Sequence, residues 1–162
     1  MKPAQLESDG MLFLLFQLGE DRYAIEAAKV AAVLPLVVPK AIPGAPAAVA
    51  GAFDYHGTLV PLIDLSQLAL GRSAQPRRST RIIMVGYPLD GDTQPLGLIA
   101  ENASETLVCD PAEFVPSGVR SDGAPYLGPI VSDSRGIVQW VLIEQLLPDG
   151  MRDLLFKQPV VS

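Results

Sequence analysis

The stretch VAGAFDYHGTLVPLIDL, residues 49–65, contains the pattern that decides the fold. Two mainly apolar runs of strand length flank His56 and Gly57. Glycine adopts positive φ without steric cost, and a tight turn between two strands usually requires that conformation. The stretch therefore predicts a β-hairpin whose turn exposes the chain's one histidine.

The residues after this hairpin predict a short helix. Asp64 immediately precedes the run LSQLAL, and an aspartate at this position accepts hydrogen bonds from the free N–H groups of a helix. Gly71 follows the run, and glycine commonly ends a helix. We therefore expect a helix over residues 65–70.

The rest of the chain consists of short apolar runs, which fifteen prolines and fourteen glycines interrupt. Such a pattern favours many short strands over long helices. The other predicted elements are a strand over 11–18, a strand over 23–27, a helical turn over 26–29, a strand through 33, a strand over 81–87, a strand leading into a helical turn over 95–108, and a second hairpin with a short closing helix over 126–147.

The two halves of the chain repeat the same order of features. Residues 13–16 align with 82–85, residues 23–25 with 96–98, and the hairpin at 51–68 with that at 128–147. A half of this size buries too little surface to be stable alone, so the halves are expected to pack together. The repeat predicts an all-β fold of two SH3-like five-stranded β-barrels side by side, with short helical turns.

The predicted boundaries follow composition. The run GRSAQPRRSTR has no apolar periodicity and holds Arg72, Arg77, Arg78 and Arg81, which indicates a solvated basic linker. The chain then divides into a flexible N-terminal tail over 1–10, a first barrel over 11–70, the linker over 71–81, a second barrel over 82–147 and a C-terminal tail over 148–162, with strand exchange between barrels left open.

Composition limits the classes of function. The net charge of -6 repels phosphate backbones, so nucleic-acid binding is not expected. A single cysteine, Cys109, excludes an internal disulfide and fits a cytoplasmic protein. The first ten residues show no signal peptide, and four prolines interrupt the apolar stretch at 30–53, so no membrane insertion is expected.

The residue inventory also argues against catalysis. His56 and Cys109 lie in different halves, and the chain has no G-x-S-x-G nucleophile elbow or phosphate-binding glycine loop. One histidine and one cysteine would leave carboxylates to complete any zinc site, which is an uncommon ligand set. We therefore expect no enzymatic activity, no metal and no cofactor.

Three segments together resemble the CheW-like coupling proteins of bacterial chemosensory arrays. They are FQLGEDRYAIEAAKVAAVL, VAGAFDYHGTLVPLIDL and LGLIAENASETL. The matching positions occur in the family's order, and the resemblance extends over about residues 12–147. The matches are Leu18, Gly19, Tyr23, Ala24, Ile25, Val30, Gly51, Gly57, Pro61, Asp64, Leu65, Gly97, Leu98, Ile99 and the Gly128 hairpin.

The resemblance implies two SH3-like barrels and a non-catalytic adaptor. Family members join the regulatory domain of a CheA-type histidine kinase to the cytoplasmic tips of methyl-accepting chemoreceptors, so this chain would reach membrane receptor arrays only through its partners. By the same resemblance, a receptor groove is expected at Phe16, Ile25, Val30, Val33 and Ile99. Contacts with the kinase or another partner are expected at Gly51, Asp54, His56 and Gly57.

The chain also departs from the family pattern. The family's hairpin Asn-x-Arg is here Asp54-Tyr55-His56, and the acidic residue usual two places after Val30 is Ala32. These departures favour a paralogue that serves its own pathway, such as surface sensing. Two alternatives remain open: a receptor-free scaffold that joins kinase regulatory domains, and a small β-barrel that binds a ligand or single-stranded nucleic acid.

Overall fold

The computed structural model describes residues 10–118 and 123–156, and within them the chain forms nine strands, two short α-helices and three 3-10 turns. Residues 1–9 of the predicted N-terminal tail lie outside the described part. The strands are β1 Met11–Leu18, β2 Asp21–Glu26, β3 Val30–Pro35, β4 Val49–Tyr55, β5 Thr58–Asp64, β6 Arg81–Leu89, β7 Asp92–Cys109, β8 Leu127–Asp133 and β9 Gly136–Val141. The helices are α1 Leu65–Leu70 and α2 Asp149–Phe156, and the 3-10 turns are Ala27–Lys29, Pro111–Glu113 and Ile143–Gln145.

The decisive hairpin and its helix form as the sequence predicts. β4 and β5 pair antiparallel, and α1 follows β5 directly. Oδ1 of Asp64 accepts hydrogen bonds from the N–H groups of Ser66 and Gln67 at 3.0 and 3.2 Å. Gly71 ends the helix in the left-handed conformation, with φ of 74°.

One predicted helical turn is wrong. The run after Ile99 continues as strand to Cys109, which makes β7 eighteen residues long. Alanine and glutamate there do favour helix, but intrinsic propensity is a weak preference, and the pairing of residues 101 and 105–109 with β1 outweighs it. Asn102 bends the strand with a left-handed φ of 50°, a conformation that asparagine tolerates better than most residues.

Two strand groups result, and the bend in β7 lets this strand belong to both. Group A contains the second part of β7 with β1, β2, β9 and β8, and group B contains β3, β6, the first part of β7, β5 and β4. β2 runs parallel to β9, and β5 runs parallel to β7. The β1–β2 hairpin of the first half thus pairs with the β8–β9 hairpin of the second half, and the β6–β7 hairpin of the second half pairs with the β4–β5 hairpin of the first. The hydrogen-bonded sheet is not closed.

Three apolar clusters explain why β1 and β6 lack polar alternation. One face of β1 packs inside group A through Phe13 and Leu15, while its other face enters a larger core that both groups share. β6 does the same with Ile82 and Met84 inside group B. A strand that is buried on both faces has a continuous apolar sequence.

The segment assigned from sequence to a C-terminal tail contains the helix α2. Met151 of this helix is buried, and the ring of Phe156 stacks on Tyr87 with centroids 5.7 Å apart. Residues 157–162 of that tail lie outside the described part. None of the helices in the described residues is long and apolar enough to span a membrane.

Candidate docking groove and hairpin turn

An open surface groove of about 420 Å³ lies at the start of β3, beside β6. Val30 pairs with Val85 at the first residue of β3, and after a β-bulge the pairing resumes at Ala32 and Met84, so β6 extends beyond the start of β3. The groove is lined by Ala28, Lys29, Val30, Ala31, Gly86, Pro88, Thr93 and Ile143. Most of this lining is apolar, and its size is within the range of protein binding pockets.

Lys29 is the one charged residue of the lining, and two carboxylates hold it at the rim. Its Nζ lies 3.6 Å from Oε1 of Glu26 and 3.7 Å from Oε2 of Glu144. Glu144 belongs to the 3-10 turn Ile143–Gln145, so this ion-paired lysine bridges the first half of the chain to the second. The apolar floor therefore remains free of unpaired charge.

The residues expected to line a receptor groove separate into two sets. Phe16 and Ile25 lie in the shared core, with 1% and 0% of their surface exposed, and Ile99 lies inside group B. Their burial leaves them almost no surface with which to contact a partner, and none of them belongs to the groove lining. Val30 lines the groove and is half-buried, whereas Val33 lies on the outward side of β3 and is 38% exposed.

The hairpin turn is exposed, and both of its central residues are left-handed. His56 has φ of 52° and Gly57 has φ of 87°, which is the pattern of a type I′ turn. Sequence reasoning assigned positive φ to the glycine alone. The rings of Tyr55 and His56 meet edge to face with centroids 4.4 Å apart, and Asp54 beside them is exposed.

Gly51, in contrast, has a packing role. It is buried with φ of 142°, and a Cβ there would lie 2.3 Å from the carbonyl oxygen of Lys40. The backbones of Lys40 and Ala52 exchange two hydrogen bonds of 2.8 Å at this point. Glycine is therefore required so that the crossing loop can pair with β4, and direct partner contact by Gly51 is sterically blocked.

The groove and the turn lie toward the same end of group B. β5 runs parallel to β7, so its first residues point toward the end of β7 where Thr93 begins the groove. Sequence reasoning missed Gly86, Pro88 and Thr93 as lining residues, since the sequence does not show that β3 pairs with β6. Only the pairing of β6 with β7 brings them to the edge of Val30.

The described residues bring neither His56 and Cys109 together nor a set of metal ligands. His56 is on the group B hairpin, whereas Cys109 ends β7 in group A. No group of three or more histidine, cysteine, aspartate or glutamate side chains in the described residues could hold a metal ion. Burial and the nearby Glu113 and Asp110 raise the pKa of the Cys109 thiol, which disfavours the reactive thiolate.

Comparison with known proteins points to one family. A family model described as CheW-like domain matches residues 12–150. Among solved structures, the scaffolding protein TtCheW from Thermoanaerobacter tengcongensis is similar, with a TM-score of 0.74 at 23% identity. That match covers 86% of this chain and 90% of the other. The comparison with curated protein sequences found no significant match.

Proposed function

This chain belongs to the CheW-like domain family, and from that premise we propose that it is a non-catalytic coupling scaffold of a chemosensory pathway. In this role it links the regulatory domain of a CheA-type histidine kinase to the cytoplasmic tip of a methyl-accepting chemoreceptor. The protein acts through binding surfaces, and it reaches the receptor array through its partners.

The observation that carries the proposal is the groove at Val30. It is open, mainly apolar and built from both halves of the chain, and its lysine is neutralised at the rim. An amphipathic helix binds to such a groove by inserting a few apolar side chains. A receptor tip that presents a helix would therefore fit there, while the exposed hairpin turn offers a second, polar contact for the kinase.

A matched pair of lysine substitutions tests the receptor contact. Val30→Lys places a charge in the groove, where insertion of an apolar helix would remove its water, and we expect a loss of about 2–4 kcal/mol of receptor binding. Val33→Lys adds the same charge to the same strand outside the groove lining and should change binding little. Titration calorimetry with a receptor-tip fragment and, separately, with the kinase regulatory domain measures both effects.

The controls separate docking from folding. Circular dichroism and thermal unfolding establish that each variant is folded, and the milder Val30→Thr replaces Val30→Lys if the lysine variant unfolds. Equal losses for Val30→Lys and Val33→Lys would contradict docking in the groove. Kinase binding with no receptor binding by the wild type would instead support a receptor-free accessory scaffold, which the replacements at Ala32 and His56 favour.

A further inference from the structure

The segment over residues 71–81, here called the arginine strap, is more ordered than its composition suggests. The sequence predicts a solvated linker with nothing to bury, but Thr80 is 1% exposed and its hydroxyl donates a hydrogen bond to the carbonyl of Gln75. The N–H of Ala103 donates to the carbonyl of Ser79 at 3.0 Å. The strap is therefore bound to the bend in β7 and has a defined conformation.

Two carboxylates hold the strap through its backbone. Oδ2 of Asp64 accepts the N–H of Ala74 at 2.9 Å, and Oε2 of Glu101 accepts the N–H of Gln75 at 2.8 Å. Both acids are therefore occupied by N–H groups, and neither is within ion-pair distance of an arginine in the strap. The strap is stabilised in a way that leaves its own positive charges unpaired.

The four arginines of the strap stand apart from most other bases in the described part of the chain. Arg22, Lys29, Arg135 and Arg152 each have a carboxylate partner within 4.0 Å. The strap arginines have no carboxylate partner within that distance in the described residues. Three of them are exposed, namely Arg72, Arg77 and Arg78, and the fourth is Arg81. Positive charge is thus concentrated in one ordered segment of an acidic protein.

Arg81 adds a second observation. Its Nε is shielded from solvent and has no hydrogen-bond partner in the described residues. A shielded donor without an acceptor is costly, and native proteins usually satisfy such donors. Arg72 extends the same surface over the turn between β1 and β2, where its Nη2 would lie 3.5 Å from a Cβ on Gly19.

The strap lies far from both surfaces of the proposed function. Arg81 begins β6, whereas Gly86 and Pro88 of the groove lie five to seven residues further along it, which is about 16–23 Å at the rise of a strand. Asp64 is at the opposite end of β5 from the hairpin turn, about 20 Å away by the same measure. A ligand on the strap could bind while the groove and the turn are occupied.

We propose that the arginine strap is a third docking surface, and that it binds an acidic segment of a partner protein. Several carboxylates in a row would accept hydrogen bonds from guanidinium groups that the fold leaves unpaired. A nucleic acid fits less well, because its long phosphate backbone would also face the acidic remainder of a chain with net charge -6. A short acidic peptide segment contacts the strap alone.

The test uses a fluorescein-labelled peptide of ten glutamates and the full-length protein. We expect binding that weakens as NaCl rises from 50 to 300 mM, because added salt screens exposed charges. Arg77→Glu combined with Arg78→Glu should weaken binding at least tenfold by fluorescence anisotropy. Lys40→Glu is the control, because Lys40 is exposed and has no ion pair in the described residues, yet it lies outside the strap.

The outcomes distinguish an acidic peptide from a nucleic acid as the partner, and they test the strap separately from the proposed receptor and kinase contacts. Tighter binding of a labelled ten-nucleotide single-stranded DNA than of the glutamate peptide would overturn the proposal in favour of nucleic acid. No peptide binding, or equal losses in the Arg77/Arg78 double variant and Lys40→Glu, would overturn it altogether. Receptor-tip and kinase binding, measured on the same variants, stays at the wild-type level if those partners use only the groove and the hairpin.

Discussion

At the scale of single residues, the backbone conformation of His56 limits which substitutions can test its side chain. A φ of 52° is uncommon outside glycine, and histidine, asparagine and aspartate tolerate it better than alanine. The substitution His56→Ala would therefore change the turn as well as remove the ring. Loss of binding in that variant would not distinguish a partner contact from a disturbed hairpin.

His56→Asn is the sharper variant. Asparagine favours the left-handed position in a type I′ turn followed by glycine, so stability should stay the same or rise slightly. If the exposed ring contacts the kinase at the rim of an interface, binding to the kinase regulatory domain should weaken by about 0.5–1.5 kcal/mol, while receptor-tip binding stays unchanged. Unchanged kinase binding by His56→Asn, measured by calorimetry, would leave His56 with a structural role only.

Single residues also show where sequence reasoning reaches its limit. The local chemistry of glycine predicted the turn at Gly57, and the resemblance to the family identified Val30 as a candidate. The pattern could not separate Val30 from Phe16, because a strand buried on both faces shows apolar residues at every position. Which of them faces the surface depends on the neighbouring strand, and the sequence does not show that neighbour.

At the scale of elements, one ion-paired cluster joins three strands of group A. Nη1 and Nη2 of Arg22 donate to Oδ1 and Oδ2 of Asp133 at 2.8 and 2.7 Å, which joins β2 to β8. Oδ1 of Asp133 also accepts the N–H of Arg135, whose guanidinium pairs with Glu105 of β7. Hydrogen bonding from the Arg22 guanidinium is the main reason why the pKa of Asp133 lies far below its ordinary value.

This lowered pKa gives a pH dependence with a definite sign. A carboxyl whose pKa is lower in the folded state stabilises the fold fully above its unfolded pKa, near 3.9, and loses that contribution as pH falls below it. Asp133→Asn should therefore destabilise the protein by about 1–2 kcal/mol at pH 7, since the pair is partly exposed. The difference from wild type should shrink between about pH 4.5 and pH 2.

Urea unfolding at several pH values measures this difference. Asp54→Asn is the matched control, because Asp54 is exposed and has no ion pair in the described residues. Its difference from wild type should be small, because this substitution removes no ion pair. A difference for Asp133→Asn that stays constant from pH 7 to pH 2 would contradict a role for the charged pair.

The whole molecule depends on exchange between the halves of the repeat. The sequence revealed the repeat itself, because the order of strands and turns recurs along the chain. It could not predict that β2 would pair with β9 and β5 with β7, since parallel pairing joins residues far apart in sequence. β3 pairs with β6, and the second part of β7 pairs with β1, so each half supplies a strand to the other.

This exchange makes neither half complete. Among the described residues, the strand-to-strand pairings that fall within 1–70 are β1–β2 and β4–β5, and those that fall within 71–162 are β6–β7 and β8–β9, with one isolated bridge in each half. Isolated two-stranded hairpins are marginally stable at best in water. We therefore expect each half to be unfolded alone, and the two to form the native structure when mixed.

The chain's one tryptophan reports this assembly. Trp140 lies in the second half, and its ring packs edge to face on Phe13 of the first half, with centroids 5.0 Å apart. In the isolated second half the emission of Trp140 should lie at the long wavelength of a solvated indole, and it should shift to shorter wavelength when an equal amount of the first half is added. A Phe13→Ala first half is the control, because it removes the contacting ring and should shift the emission less. Folded halves that ignore one another, with unchanged Trp140 emission on mixing, would contradict the interleaved pairing, since β2 and β9 cannot form their parallel ladder unless both halves are present.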